Sequence, residues 1–203
     1  VYKRQMKHYI KFGFNDFIIA TGYKGNYFEK YFRGFKKNGL PFKTKIFKKP
    51  CTITIVKTGL KTLTGGRLKR VRNYLRNDKS FMFTYGDGIS NVNLRKLEKF
   101  HNNHNKIITV SAVRPPARFG ELKIKNKIVK QFKEKPQTSQ GWINGGFFVA
   151  KKNFLNLISN DMTILERKPL ESVAKKNQLM AFQHKGFWKC MDCLLYTSPS
   201  PRD

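Results

Sequence analysis

The stretch Ser80-Phe81-Met82-Phe83-Thr84-Tyr85, followed at once by Gly86-Asp87-Gly88, decides how the rest of the sequence is read. Six uncharged residues, mostly aromatic or apolar and closed by a Gly-Asp-Gly break, form a buried strand that ends in a tight turn. In an open α/β sheet, the loops at the carboxyl ends of the strands are where ligands bind. A carboxylate between two glycines at such an end lets a ligand approach the backbone closely and can hold a hard cation such as Mg²⁺. A plain Asp-Gly turn has the same sequence, so the motif leaves both readings open.

On either side of this strand, apolar runs alternate with helical periodicity. Residues 2–12 have helical spacing closed by Gly13, and 16–21 (DFIIAT) is a second buried strand, broken by Gly22-Tyr23-Lys24-Gly25. Tyr27, Phe28, Tyr31 and Phe32 recur at helical spacing, strands follow around 42–47 and 52–57, and Thr64-Gly65-Gly66 opens a helix whose core face is Leu68, Val71 and Leu75. Downstream, Asn93 caps a helix reaching His101 with Leu94, Leu97 and Phe100 inward. Then come a strand at 107–113, a hairpin of 122–124 and 128–132 around Asn126-Lys127, a strand at 145–150, helical stretches at 154–158 and 170–175, and a short strand at 179–183. The alternation predicts one α/β domain, a Rossmann-like, mixed and mostly parallel sheet with flanking helices.

Composition narrows the class. The 203 residues include 42 Lys+Arg against 12 Asp+Glu, a formal net charge of +30, yet 39% hydrophobic residues and 18 Phe can form a sizeable core. That excludes a disordered basic chain. No apolar run approaches the ~18 residues of a membrane span. Three cysteines, Cys51, Cys190 and Cys193, make no disulfide framework and point to a reducing, cytoplasmic setting. Cys190 and Cys193 have metal-like spacing but no second pair, so zinc is not expected. The lysines are scattered rather than clustered. A field for a polyanionic partner and an A/T-rich codon usage both account for them.

Three further stretches can carry chemistry. Thr62-Leu63-Thr64-Gly65-Gly66-Arg67 offers backbone N–H groups at a Gly-rich helix start with a guanidinium one step inside, a natural anion site or an ordinary capped helix. Phe132-Lys133-Glu134-Lys135-Pro136 and Trp142-Ile143-Asn144-Gly145-Gly146 offer a carboxylate for sugar hydroxyls, a cation for phosphate, and Asn144 beside a glycine-exposed backbone. Gly186-Phe187-Trp188-Lys189-Cys190-Met191-Asp192 ends on a second carboxylate. Asp87 and Asp192 together suffice for a Mg²⁺ that takes its other oxygens from phosphates and water.

Taken in order, DFIIATGYKG, TGGRLKRV, FTYGDGISNVNL, PPARFGELKI, FKEKP, WINGGFFV and LMAFQHKGFWKCMD resemble the sugar-1-phosphate nucleotidyltransferases over about residues 1–192. Arg118-Phe119-Gly120 after Pro115-Pro116, and Thr64-Gly65-Gly66-Arg67, resemble the cytidylyl branch more than the thymidylyl or uridylyl ones. The resemblance implies that CTP and α-D-glucose 1-phosphate give CDP-glucose and pyrophosphate, for dideoxysugar or surface-polysaccharide (O-antigen) synthesis. It implies Asp87 and Asp192 as Mg²⁺ ligands and catalytic centre, and Gly86, Thr62 and Arg67 as nucleotide contacts. Glu134, Lys135, Asn144 and Gly145 are implied as sugar-phosphate contacts, and a homo-oligomer, of hexameric size, as the assembly.

The sequence departs from the family in several places. The family opens with a strand and a Gly-rich phosphate loop carrying an Arg, then a Lys segment; none of these is read before Val1, so the expectation is a fragment with little activity as written. Cys190 stands where the family usually has proline and Cys193 where it usually has threonine. Residues 193–203 break with everything before them and are expected to be a non-native tail, leaving 1–192 as a partial nucleotidyltransferase domain. Two other functions stay open, a non-catalytic domain of the same fold and a basic nucleic-acid-binding protein.

Overall fold

The computed structural model describes residues 2–32, 34–75, 79–114, 121–125, 128–133 and 141–191, with backbone alone for 121–125, 128 and 131–133. In chain order the elements are α1 (Tyr2–Lys11), β1 (Asp16–Thr21), α2 (Asn26–Tyr31), β2 (Pro41–Ile46), β3 (Lys49–Lys57), α3 (Thr64–Arg70), β4 (Ser80–Thr84) and β5 (Gly88–Ser90). There follow α4 (Leu94–Asn102), β6 (Ile108–Val113), β7 (Glu121–Lys125), β8 (Ile128–Lys133), β9 (Ile143–Lys151), α5 (Lys168–Lys175), β10 (Leu179–His184) and β11 (Trp188–Cys190). The helix expected from Thr64 tightens into a 3₁₀ turn at Arg72–Tyr74, and the helical stretch after β9 is a 3₁₀ turn, Lys152–Leu157. Asn93 caps α4 as expected, its side-chain oxygen accepting from Lys96 N–H at 2.9 Å.

The strands form a three-stranded sheet in the order β1-β3-β2, a four-stranded sheet in the order β10-β6-β9-β4, and two pairs, β5-β11 and β7-β8. The α/β class with mixed sheets is the expected one, but the strand directions are less parallel than the alternation suggested. Among the described residues, β1/β3 and β6/β10 run parallel, whereas β2/β3, β4/β9, β6/β9, β5/β11 and β7/β8 run antiparallel. A tight connection can only reverse the chain, as at Phe47 and Lys48, which hold the left-handed φ values (49° and 63°) of a hairpin turn. β9, for its part, enters the larger sheet between β6 and β4 against the direction of both.

α1 joins the two sheets. Its Met6 packs with Phe32, Phe42, Ile46, Cys51, Ile53 and Ile55 on the smaller sheet. Tyr9, one turn on, packs with Val92, Leu94, Leu97, Phe147 and Val149 on the larger. Successive residues of a strand face opposite ways, so Phe148 enters the core on the other face with Ile108, Ala150, Phe154, Leu165 and Val173. There it stacks on Phe83 of β4, with ring centroids 4.5 Å apart. Burying such a side chain contributes roughly 1.5–3 kcal/mol. No helix among the described residues is long and apolar enough to cross a membrane.

One expectation needs correction. The two stretches read as buried strands, β1 and β4, are edge strands of their sheets. Phe17, Ile18 and Ile19, like Phe81, Met82 and Phe83, are only half-buried. Both strands line a single cavity of about 1340 Å³ that runs between the sheets. Among the described residues each has a strand neighbour on one side only, which leaves its apolar side chains short of the cover that their sequence would suit.

Candidate active site

The Asp87 loop is held from three directions. Tyr85-Gly86-Asp87 carries the chain from β4 into β5, and β5 pairs with β11 so that Gly88 faces Cys190. Beyond that pair Met191 N–H donates to the Asp87 carbonyl at 2.8 Å. From α1, the Gln5 side-chain amide donates to the Gly88 carbonyl, and Ser90 Oγ donates to Phe187 O at 2.9 Å. Asp87 is half-buried, its Oδ2 3.6 Å from Cys190 Sγ. Beside it Gly86 is exposed, and nothing lies within 4 Å of where a Cβ on Gly86 would stand. That open ground next to a fixed carboxylate is what a ligand needs.

The start of β9 reaches the same place through a bulge. Val110 faces Phe148 and Ala112 faces Asn144, so Ser111 stands opposite Gly145, Gly146 and Phe147 together. Two glycines make this possible. Gly146 has φ +79°, and a Cβ on Gly145 would lie 2.7 Å from both Ser111 Oγ and Val113 Cγ1. The freed polar groups are all taken: Asn144 Oδ1 accepts from Gly146 N–H at 2.8 Å, Ser111 Oγ from Phe147 N–H at 3.2 Å, and Gly145 O from Trp188 Nε1–H at 2.8 Å. The glycine-exposed backbone expected beside Asn144 is therefore covered at Gly145, which is buried beneath Trp188, while Asn144 itself stays exposed.

Tyr85 binds these pieces together. Its N–H donates to Gly146 O at 3.3 Å, its ring packs edge-on to Phe148, and its hydroxyl donates to Glu166 Oε1 at 2.5 Å. Burial first, then the Glu166 carboxylate, push the phenol far above its ordinary range, with Asn144 pulling the other way. It remains a neutral donor at any working pH.

Thr62 and Arg67 gather elsewhere, at the carboxyl ends of the parallel strands β1 and β3. Thr62 Oγ1 donates to Thr58 O at 2.5 Å, Thr58 Oγ1 donates to Thr21 O at 2.8 Å, and Arg67 Nη1 donates to Thr58 Oγ1 at 2.7 Å. The Arg67 guanidinium lies so close over Gly22 that a Cβ there would collide with it. The Gly-rich start of α3, read as an anion site, is not open. Leu63 N–H donates to Asp161 O at 2.8 Å, and Gly65 and Gly66 donate to Thr163 O at 2.9 and 3.4 Å. These glycines admit the backbone of 161–163, which passes where their Cβ atoms would be. The cation, Arg67, is what remains of that motif for a ligand.

Asp87, Gly86, Asn144 and Gly145 thus come together, while Arg67 stands apart from them against Thr58 and Gly22 and lines, with Thr64, Tyr85 and Gly86, the walls of the same cavity. Thr62 is buried behind Arg67. Glu134, Lys135 and Asp192, with Arg118 and the tail, lie outside the described residues. Sequence reasoning gave no role to Tyr85, Trp188, Thr58 or Glu166. The first two lie inside the quoted motifs and could have been found from the need of a buried Tyr or Trp for a hydrogen-bond partner; Thr58 and Glu166 carry no local signal.

Among the described residues no three His, Cys, Asp or Glu gather as a metal cage. One hard carboxylate beside open space does fit Mg²⁺, which keeps several waters and is bound through one or two carboxylates plus phosphate oxygens. A carboxylate and an amide beside the end of β4, and a guanidinium at the ends of β1 and β3 on the wall of the same cavity, suit a phosphorylated nucleotide in a strongly positive protein.

Residues 1–190 match the family model of the nucleotidyl transferases. A glucose-1-phosphate cytidylyltransferase of Salmonella typhimurium is 42% identical, over 93% of this chain and 77% of that protein. A probable glucose-1-phosphate cytidylyltransferase of Bacillus subtilis is 36% identical, over 92% of this chain and 77% of that protein. Among solved structures, HddC from Yersinia pseudotuberculosis superimposes with a TM-score of 0.65 at 20% identity, covering 93% of this chain and 78% of its own, a likeness of fold. The chain belongs to the nucleotidyl transferase family, with glucose-1-phosphate cytidylyltransferases as its relatives there.

Proposed function

We propose that this enzyme transfers CMP from CTP to α-D-glucose 1-phosphate, giving CDP-glucose and pyrophosphate. The observation that carries this reading is the 42% identity to a glucose-1-phosphate cytidylyltransferase across 93% of the chain. A phosphate oxygen of the sugar attacks the α-phosphorus in line, a P–O bond forms there, and the bond to the β-phosphate breaks to release pyrophosphate. No covalent chemistry is asked of the protein, whose work is positioning and charge neutralisation.

In this reading Asp87 and Asp192 hold the metal, and Mg²⁺ when bound supplies charge neutralisation at the phosphates. Gly86 lets the nucleotide lie against the backbone beside Asp87, where a side chain would stand in the way. Arg67 pairs with phosphate and is aimed by Thr58 and Thr62. Asn144, with Glu134, Lys135 and the Gly145 backbone, contacts the sugar phosphate. The +30 charge steers two polyanionic substrates to the site. A homo-oligomer acting in the cytoplasm and feeding surface-polysaccharide synthesis completes the proposal.

The test is pyrophosphate release from CTP, glucose 1-phosphate and Mg²⁺ by wild-type protein and Asp87→Ala. The variant is expected to lose about 100-fold or more in kcat, in the range seen for removal of a single electrostatic stabiliser. An Asp87→Ala protein as fast as wild type would remove Asp87 from the metal site, and release from UTP or dTTP but not CTP would overturn the substrate assignment.

A further inference from the structure

Glu166 lies outside every motif that points to the site, between β9 and α5. It is exposed, yet both of its oxygens are occupied. Tyr85 Oη donates to Oε1 at 2.5 Å and Thr64 Oγ1 donates to Oε2 at 2.9 Å. The direction of each bond is fixed, because a carboxylate only accepts and Thr64 Oγ1 already accepts from Leu165 N–H at 2.9 Å. The two donors belong to different halves of the site. Tyr85 immediately precedes Gly86 and Asp87, and Thr64 is the first residue of α3, three before Arg67. Tyr85 also meets the β9 bulge, its N–H donating to Gly146 O and its ring lying edge-on to Phe148.

We propose that Glu166 is a positioning residue which sets the spacing between the Asp87 loop and Arg67, by clamping Tyr85 with one oxygen and Thr64 with the other. It rests on the reading of the site above, in which one nucleotide spans Asp87 and Arg67. Such a ligand reacts only when its two ends are held at a defined separation, and a displacement of about 1 Å costs on the order of 100-fold in rate. An exposed carboxylate that made no such link would be free to swing into water. Here it joins two sites 21 residues apart in sequence, Thr64 at the start of α3 and Tyr85 just past the end of β4, through a third segment.

The experiment uses the full chain as wild type, Glu166→Gln, Glu166→Ala, Thr64→Val and Thr64→Ser. Amide hydrogen exchange is followed at Tyr85 and Leu165, with Ile53 and Ile55 of β3 as controls. Glu166→Ala and Thr64→Val are expected to speed exchange at Leu165 by about tenfold or more, the loss of one charge-assisted hydrogen bond. Glu166→Ala does the same at Tyr85, the β3 amides stay unchanged, and Thr64→Ser, which keeps the hydroxyl, restores Leu165. In the pyrophosphate assay Glu166→Gln is expected to lower kcat about tenfold with KM for CTP within about twofold, as for a group acting on geometry rather than on binding. Unchanged exchange at both reporters, or an equal rise at β3, overturns the clamp, as does an unchanged kcat in Glu166→Ala. If wild-type protein releases no pyrophosphate, the proposed reaction fails while exchange still decides the clamp.

Discussion

Gly145→Ala tests whether the β9 bulge is packed as described. The added Cβ would stand 2.7 Å from Ser111 Oγ, 2.7 Å from Val113 Cγ1 and 2.9 Å from Ser111 O. Val113 can turn about its side-chain bond. Ser111 Oγ cannot turn away without dropping the Phe147 N–H it accepts at 3.2 Å, and Ser111 O is fixed in β6. Overpacking of this kind costs about 1–3 kcal/mol, and the lost hydrogen bond adds about 1 kcal/mol. The sum is about 3 kcal/mol, which in a chain of this size lowers the thermal midpoint by about 6–12 °C. Scanning calorimetry measures it, and Trp188 gives a local check: if the bulge shifts, its indole loses Gly145 O and the emission moves to the red. Gly86→Ala is the control, because its Cβ meets nothing within 4 Å and its backbone is not in the left-handed region. A Gly145→Ala midpoint equal to that of Gly86→Ala would refute the packing at Ser111.

At Gly22 the same reasoning gives the opposite signature. A Cβ there meets first the far end of the long Arg67 side chain, so Gly22→Ala should leave the midpoint within about 2 °C while raising KM for CTP about five- to tenfold through loss of an aimed guanidinium; an unchanged KM would separate Arg67 from the nucleotide. Stability should also depend on pH through His101, which is buried with Nδ1 2.9 Å from Thr109 Oγ1. Burial, with smaller contributions from His104 and Lys151, holds its imidazole down to about 4. The unfolded chain takes up that proton near pH 6.5, so the stability is whole above about 6.5 and is lost as pH falls toward 4. The melting midpoint should drop over that window, and His101→Gln should flatten the drop; equal slopes in the two proteins would exclude His101 as the cause.

Much of the fold was legible because its signals are local. The run 16–21 and the Asn93 cap depend on neighbours in sequence, and both appear where expected. β5 and β11 were missed because three-residue strands have no periodicity to read; they exist through pairing across about 100 residues, Gly88 with Cys190. The Gly-rich start of α3 misled for a related reason. Glycine says that something approaches the backbone, but not what, and here it is the chain itself at Asp161 and Thr163. Asp87 and Asn144 stood out in the sequence because glycines mark them on both sides or on one. Glu166 was not, since its partners Thr64 and Tyr85 are 102 and 81 residues away in sequence.

The facing edges of β1 and β4 bear on how this protein behaves in concentrated solution. A strand edge without a partner is a template for the edge of another molecule, and among the described residues β1 and β4 each present one, fringed by half-buried Phe17, Ile19, Phe81 and Phe83. Edge-to-edge pairing of this kind between copies is opposed by the net charge of +30. That repulsion reaches about 8 Å at physiological ionic strength but only about 3 Å in molar salt. The surplus of lysine therefore acts as a colloidal guard over the open edges, and salting the protein removes the guard while leaving the edges in place.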